Sequence, residues 1–211
     1  MKIIKADVEF MPLIDGGAIL KHIEKCGRIC YKSEDKIDDG SAEVFSKGRI
    51  KQGHEAVLEH CSFTVKFICD RGVSHEIVRH RMASYCQEST RYCNYGKGKF
   101  GKEITVIEPC YLKDTEPTYW AWKNACETAE EAYFNMLDGG CTPQEARAVL
   151  PNSLKTEVVM TANLREWRHF LRLRTDVAAH PQMREVACKL LKMCKERIPV
   201  VFDDIGGEEN A

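Results

Sequence analysis

Two stretches of this chain carry incompatible hydrophobic periods, and that contrast constrains the fold more than any other feature. Residues 61–70 alternate: Phe63, Val65, Phe67 and Cys69 face one way, Thr64, Lys66 and Asp70 the other. A period of two is the mark of a half-buried strand. Trp122, Ala125, Cys126, Ala129, Tyr133 and Met136 recur instead at helical spacing, and Gly139-Gly140 stops the stripe. A chain holding both belongs to a mixed class.

The remaining segments fall on either side of this divide. Ile4, Ala6, Val8 and Phe10 alternate with Lys5, Asp7 and Glu9, which predicts a strand. Ile19, Ile23, Cys26 and Cys30 predict a helix within 18–31, a polar loop follows over 33–41, and a further helix ends near GHEAVLEH. Arg71-Gly72 reads as a turn, with Ser74 capping a short helix through Arg81. Residues 103–108 form a short strand. Thr142-Pro143-Gln144-Glu145 is a capping box ahead of a helix that stops before Pro151. Asn163 caps a helix to about Arg174, and Pro181 opens a last one with Val186, Leu190 and Met193 inside. Strands and helices mix without regular βαβ alternation, so the expectation is an α+β fold in one domain over 1–211.

Charge excludes some partners. Lys+Arg is 31 against Asp+Glu 32, a net charge of −1, so there is no bulk attraction for nucleic acid or an anionic membrane, and any bound anion needs a local basic cluster. No run of 18 apolar residues spans a membrane, and the N-terminus lacks the apolar segment of a signal peptide. The eleven cysteines contain no C-x-x-C pair, which predicts free, mostly buried thiols in a reducing cytosol.

Two motifs fail on context. Gly96-Lys-Gly98-Lys-Phe-Gly101 has G-x-G-x-x-G spacing, yet it leads into a strand rather than the helix that a pyrophosphate site needs. His54-Glu55 with His60 suggests a zinc helix, but position 58 is Leu and the i, i+4 histidine pair is missing, so no metal site is expected.

The densest chemistry lies in Arg79-His80-Arg81-Met-Ala-Ser84-Tyr-Cys86-Gln87-Glu88-Ser89-Thr90-Arg91-Tyr92. Arginine forks grip phosphate at two points, and hydroxyls with backbone N–H groups complete a cradle. The alternative is a solvated, salt-bridged surface. A second cluster comprises Arg147, Asn163, Arg165, His169, Arg172 and Arg174, with Arg165 and His169 one turn apart on a helix; a basic solvent face is its alternative.

The Arg79-His80-Arg81 triplet, seven residues and then Ser89, with Ser84 and Arg91 also in place, resembles the signature of the flavin-dependent thymidylate synthases. The resemblance extends through CGRICYKS (26–33), GHEAVLEHCSFTV (53–65), ARAVLP (146–151) and NLREWRHFLRLR (163–174). It implies an α+β fold with a small, mainly antiparallel sheet, and cytoplasmic homotetramers that convert dUMP to dTMP using FAD, NADPH and methylenetetrahydrofolate. It implies that His54, Ala56, Arg79, His80, Arg81, Gln87, Asn163, Arg165 and His169 bind the flavin. Glu76, Arg79, Gln87, Glu88, Ser89, Thr90, Arg91, Arg147 and Arg174 would bind dUMP, and Arg174, placed against the uracil ring, would be catalytic. The chain departs from the family's usual residues at Ala56, Glu76, Cys86, His169 and 179–184. Departures at substrate contacts leave one rival within the fold, a flavin-dependent dUMP hydroxymethylase; a rival of another class is a non-catalytic nucleotide-binding module, against which the intact Arg174 argues.

Overall fold

The computed structural model describes residues 1–12 and 14–206, so the last five positions of the expected 1–211 domain lie outside the described residues. The chain divides into two compact units. The first comprises Met1–Asp7, Phe67–Arg79 and Cys86–Val158; the second comprises Val8–Lys66, His80–Tyr85 and the chain from Val159.

In the first unit, β1 (Lys2–Ile4) pairs in parallel with β5 (Thr105–Ile107), Ile3 opposite Val106. Helices α3 (Arg71–Ile77), α4 (Pro117–Asp138) and α5 (Pro143–Ala146) complete it. Its core holds Tyr95, Ile104, Val106, Cys126, Tyr133, Ala146 and Leu154. Cys126 and Tyr133 come from the predicted α4 stripe, and the capping box of α5 is present, with Glu145 accepting from the Thr142 N–H at 2.8 Å.

The second unit contains β2 (Asp7–Phe10) from Val8 onward, α1 (Gly16–Ile29), α2 (Ser41–Lys51), α6 (Leu164–Arg174) and α7 (Pro181–Arg197). Its centre is aromatic: Phe63 stacks on Trp167 with ring centroids 4.9 Å apart, and the Trp167 indole N–H donates to the Phe63 carbonyl. A stacked pair of this kind adds about 1 kcal/mol beyond burial.

A four-stranded sheet runs in the order β2-β3-β6-β4, with β3 at Ser62–Asp70, β4 at Ala83–Gln87 and β6 at Lys155–Asn163. Lys66 meets Glu9 while Met11 donates to the Thr64 carbonyl, so β2 and β3 run antiparallel. Thr64 meets Thr161 while Leu164 donates to the Cys61 carbonyl, so β3 and β6 do too. The fold is α+β, as expected.

Several local expectations change. The strand over 4–10 is two strands, because β1 takes β5 as its partner while β2 joins β3. Helix α1 buries Leu20, Ile23, Glu24 and Gly27 rather than Cys26 and Cys30. The face rotates because Gly27 lets the Phe45 ring approach its backbone, and the buried Glu24 carboxylate is satisfied by Arg28 and Ser41. The second helix ends at Lys51: Gly53 adopts φ +73°, and Glu55–His60 is a 3-10 turn. Asp70, not Ser74, caps α3, accepting from the Val73 N–H at 2.7 Å. Cys194 rather than Met193 is the fully buried side chain late in α7. Four thiols are buried (Cys61, Cys69, Cys126, Cys194) and four exposed (Cys30, Cys86, Cys110, Cys188), so most are not interior; Cys86 lies on the outward side of β4's alternation.

Candidate active site

The expected site residues fall into two groups, one in each unit. In the first unit, β3 ends at Asp70 and its cap turns the chain into α3, whose last turn carries Glu76; Arg79 follows in the turn beyond the helix, its N–H closing onto the Glu76 carbonyl at 3.2 Å. Glu76 is half-buried and Arg79 exposed.

Gln87, at the end of β4, donates through Nε2 to Ser74 Oγ at 3.0 Å and Thr156 Oγ1 at 3.3 Å. The Ser74 hydroxyl gives its proton to the Arg71 carbonyl at 2.8 Å, so towards Gln87 it can only accept. This fixes the amide with its nitrogen inward and leaves Oε1 as the group for a ligand.

Glu88 is committed to structure. Its N–H donates to the Glu157 carbonyl at 2.9 Å, and its carboxylate accepts from Tyr95 Oη at 3.1 Å and Lys155 Nζ at 3.0 Å. Burial opposes the Lys155 charge, but the hydrogen bonds to Glu157 and Glu88 outweigh it and hold the ammonium above its usual pKa. Glu88 therefore shapes the following turn rather than offering donors to an anion.

In that turn the Ser89 carbonyl accepts from the N–H groups of Tyr92 and Cys93, and Ser89 Oγ accepts from the Arg91 N–H at 3.3 Å. Thr90 is buried, and Arg147 Nη1 reaches its Oγ1 at 3.4 Å. Arg147 comes from the 3-10 turn Arg147–Val149, which α5 delivers. Among the described residues no carboxylate pairs with Arg79, Arg91 or Arg147. Several arginines elsewhere are paired: Arg28 with Glu24, Arg165 with Glu59, and Arg168 with Glu55 and Asp204.

In the second unit, Asn163 ends β6 and caps α6, its Oδ1 accepting from the Glu166 N–H at 2.9 Å. Helix α6 buries Leu164, Trp167, Arg168, Phe170 and Leu171 and leaves Arg165 and His169 exposed. His80 is buried against this helix. Its ring sits edge-on to Phe170 with centroids 4.8 Å apart and lies 5.6 Å from the His169 ring. Its Nδ1 is 3.1 Å from Glu166 Oε1, and Arg174 Nε donates to its Nε2 at 3.1 Å. Burial, with the charges of Arg174 and His169, lowers the His80 pKa; the Glu166 hydrogen bond and charge oppose this without reversing it. His80 is thus held neutral at pH 7.

His80, Glu166 and His169 bring potential metal-ligating atoms within 4.8 Å of one another. The Arg174 guanidinium bonded to Nε2 of the same His80 ring opposes a second cation there.

The other expected flavin residues are placed more loosely. His54 precedes the 3-10 turn, its N–H donating to the Arg49 carbonyl at 2.9 Å, and Ala56 is exposed on that turn. Arg81 is exposed, and Arg165 is turned to Glu59 at 2.6 Å. The sequence reading missed Ser74, Thr156 and Glu166. Glu166 follows Asn163 by three residues, a spacing that reads as helix capping and so conceals its bond to His80.

The family described as thymidylate synthase complementing protein, Thy1, matches residues 14–200. The chain belongs to the Thy1 family. A flavin-dependent thymidylate synthase of Geobacter sulfurreducens is 32% identical over 203 residues, covering 90% of this chain and 86% of that protein. One from Pyrococcus horikoshii is 37% identical over 164 residues, covering 77% of this chain and 67% of its own. Among solved structures, a UMP/dUMP methylase, PolB, from Streptomyces cacaoi, bound with 5-Br dUMP, matches with a TM-score of 0.76 at 26% identity and covers 96% of each chain.

Proposed function

We propose that this Thy1 protein reductively methylates dUMP to dTMP, with FAD as its flavin, NADPH as reductant and methylenetetrahydrofolate as carbon donor. The observation that carries the reading is the turn after β4, where the Arg147 guanidinium, without a described counter-charge, reaches the Thr90 hydroxyl, and where Ser89 and Arg91, itself without a described counter-charge, belong to the same turn through the Arg91 N–H to Ser89 Oγ bond. Cations and hydroxyls gathered without a carboxylate call for an anion with several acceptor oxygens, and a phosphate monoester is one.

In this reading Ser89, Thr90, Arg91 and Arg147 hold the dUMP phosphate. Gln87 offers its carbonyl oxygen, and Glu76 and Arg79 bound the nucleotide from the end of α3. Arg174 stabilises the negative charge that develops on the pyrimidine as the ring is attacked, a charge contact worth about 3–4 kcal/mol in a transition state. His54, Ala56, Arg79, His80, Arg81, Gln87, Asn163, Arg165 and His169 hold the flavin. Their chemistry fits it: guanidinium forks suit a diphosphate, while imidazole and amide groups suit a ring with donors and acceptors. When bound, FAD supplies the hydride chemistry that no side chain can.

The reading extends to a single domain over 1–211 and a homotetramer as the working unit, which sedimentation tests. It also places the protein in the cytoplasm, where the free thiols suit a reducing environment. Among the described residues, no helix is long and apolar enough to cross a membrane. The deciding experiment supplies purified protein with dUMP, methylenetetrahydrofolate and NADPH and weighs the nucleotide product. A product heavier by one methylene is expected; a hydroxymethyl product, or none, contradicts the proposal.

A further inference from the structure

Helix α6 carries Glu166, Phe170 and Arg174 at successive i, i+4 positions, so all three share one face. His80 lies along that face. Its ring rests on Phe170, its Nδ1 meets Glu166 one turn before, and its Nε2 meets Arg174 one turn after. The protonation of the ring follows from its partners. A guanidinium is always protonated and has no acceptor, so at 3.1 Å Arg174 Nε can only donate, and His80 Nε2 must carry a lone pair. The single proton of the neutral ring is then on Nδ1, and it is donated to the Glu166 carboxylate 3.1 Å away. Were the proton on Nε2 instead, two N–H groups would face each other, Arg174 would lose this acceptor and Glu166 would face a lone pair.

We infer that Glu166 is a positioning residue for Arg174: by accepting the Nδ1 proton of His80 it selects the tautomer whose Nε2 holds the Nε edge of the guanidinium in place. Nothing in the reaction requires Glu166 to touch substrate or flavin; it acts through His80. A neutral imidazole in water prefers the opposite tautomer, with its proton on Nε2, so the carboxylate is what turns the preference round. The inference rests on the reading that Arg174 faces the pyrimidine, but the tautomer it requires does not depend on turnover.

Two measurements test it on the flavin-loaded enzyme. The first is a long-range ¹H–¹⁵N spectrum of histidine-labelled protein, with the His80 signals assigned by their loss in His80→Gln. A proton on Nδ1 and a bare Nε2 are expected. A proton on Nε2 in the unmutated protein overturns the inference, whether or not the protein makes dTMP. The second compares Glu166→Ala with Glu166→Gln, whose amide oxygen can still accept from Nδ1–H. Glu166→Ala is expected to move the His80 proton to Nε2 and lower kcat at least tenfold while KM for dUMP changes less than threefold. Glu166→Gln is expected to keep the tautomer and stay within about threefold of the original kcat. Equal losses in both variants, or no loss in either, overturn it. Failure of the enzyme to methylate dUMP, with the Nδ1–H tautomer present, counts against the proposed function and leaves the positioning of Arg174 standing.

Discussion

Arg147 and Thr90 are 57 residues apart in sequence, yet Arg147 Nη1 lies 3.4 Å from Thr90 Oγ1. That contact brings the turn after β4 and the turn after α5 to one place, and it sets the Arg147 guanidinium on the turn that also carries Ser89 and Arg91. Hydrogen bonds to charged groups contribute about 1.5–3 kcal/mol, so Arg147→Ala is expected to raise KM for dUMP about 10–100-fold. Thermal stability should change little, because Arg147 is exposed. Steady-state kinetics with dUMP varied would check this, and an unchanged KM would remove Arg147 from the phosphate site.

Arg174 is expected to matter in the opposite way. Arg174→Ala should lower kcat by about 10²–10³-fold, the usual cost of one preorganised charge contact, while flavin content and the folded state persist. Flavin absorbance and turnover, measured on one preparation, decide the point. Normal turnover would end its assignment as the catalytic cation.

Arg168 is completely buried and binds Glu55 and Asp204, tying α6 to the 3-10 turn and to the chain beyond α7. Hydrogen bonding from Arg168, then its charge and that of Arg172, holds the Asp204 carboxyl at a pKa of about 2 against burial. A carboxyl depressed in the folded state contributes stability above its unfolded pKa, and that contribution disappears as pH falls through the folded value. Asp204→Asn should therefore lower the melting temperature at pH 7, and the gap from the original protein should narrow between pH 4 and pH 2. A gap constant with pH would show that the pair is not the cause. Arg168→Met leaves Glu55 and Asp204 without their main partner and should cost about 3 kcal/mol, the low end for a broken buried pair because Asp204 stays partly in water.

Cys86 is the tempting nucleophile of the arginine-rich segment, but it sits exposed on β4 and the proposed reaction asks for no enzyme thiolate. Cys86→Ser should keep turnover within about tenfold, or about 1.4 kcal/mol. A dUMP–Cys86 adduct trapped by mass spectrometry would point to a covalent mechanism instead.

What the sequence makes legible follows from how local each feature is. The alternation of 61–70, the capping box at Thr142 and the N-cap at Asn163 depend on neighbours in sequence and appear as expected, as does helix α4, although of its expected stripe Cys126 and Tyr133 are buried while Ala125 is exposed. Strand β6 went unread although Thr156, Val158, Met160 and Ala162 are buried in strict alternation: Thr and Ala are weak markers, and Val158-Val159-Met160 blurs the period. β4 was hidden because its alternation is between exposed and half-buried positions. In the site, the arginine and serine positions follow from the signature segment, but their partners do not. Glu166 and His80 are 86 residues apart, and Gln87 and Thr156 are 69 apart. Only folding reveals which polar groups are already committed to each other, and so which remain for a ligand.

A single turnover tests the central claim most directly. The enzyme, its flavin reduced in the absence of oxygen, is mixed with dUMP and methylenetetrahydrofolate, and flavin absorbance and nucleotide are followed together. The account predicts that flavin reoxidation and dTMP formation occur in equal amounts. dTMP formed while the flavin stays reduced, or flavin reoxidised with dUMP left unchanged, would contradict it.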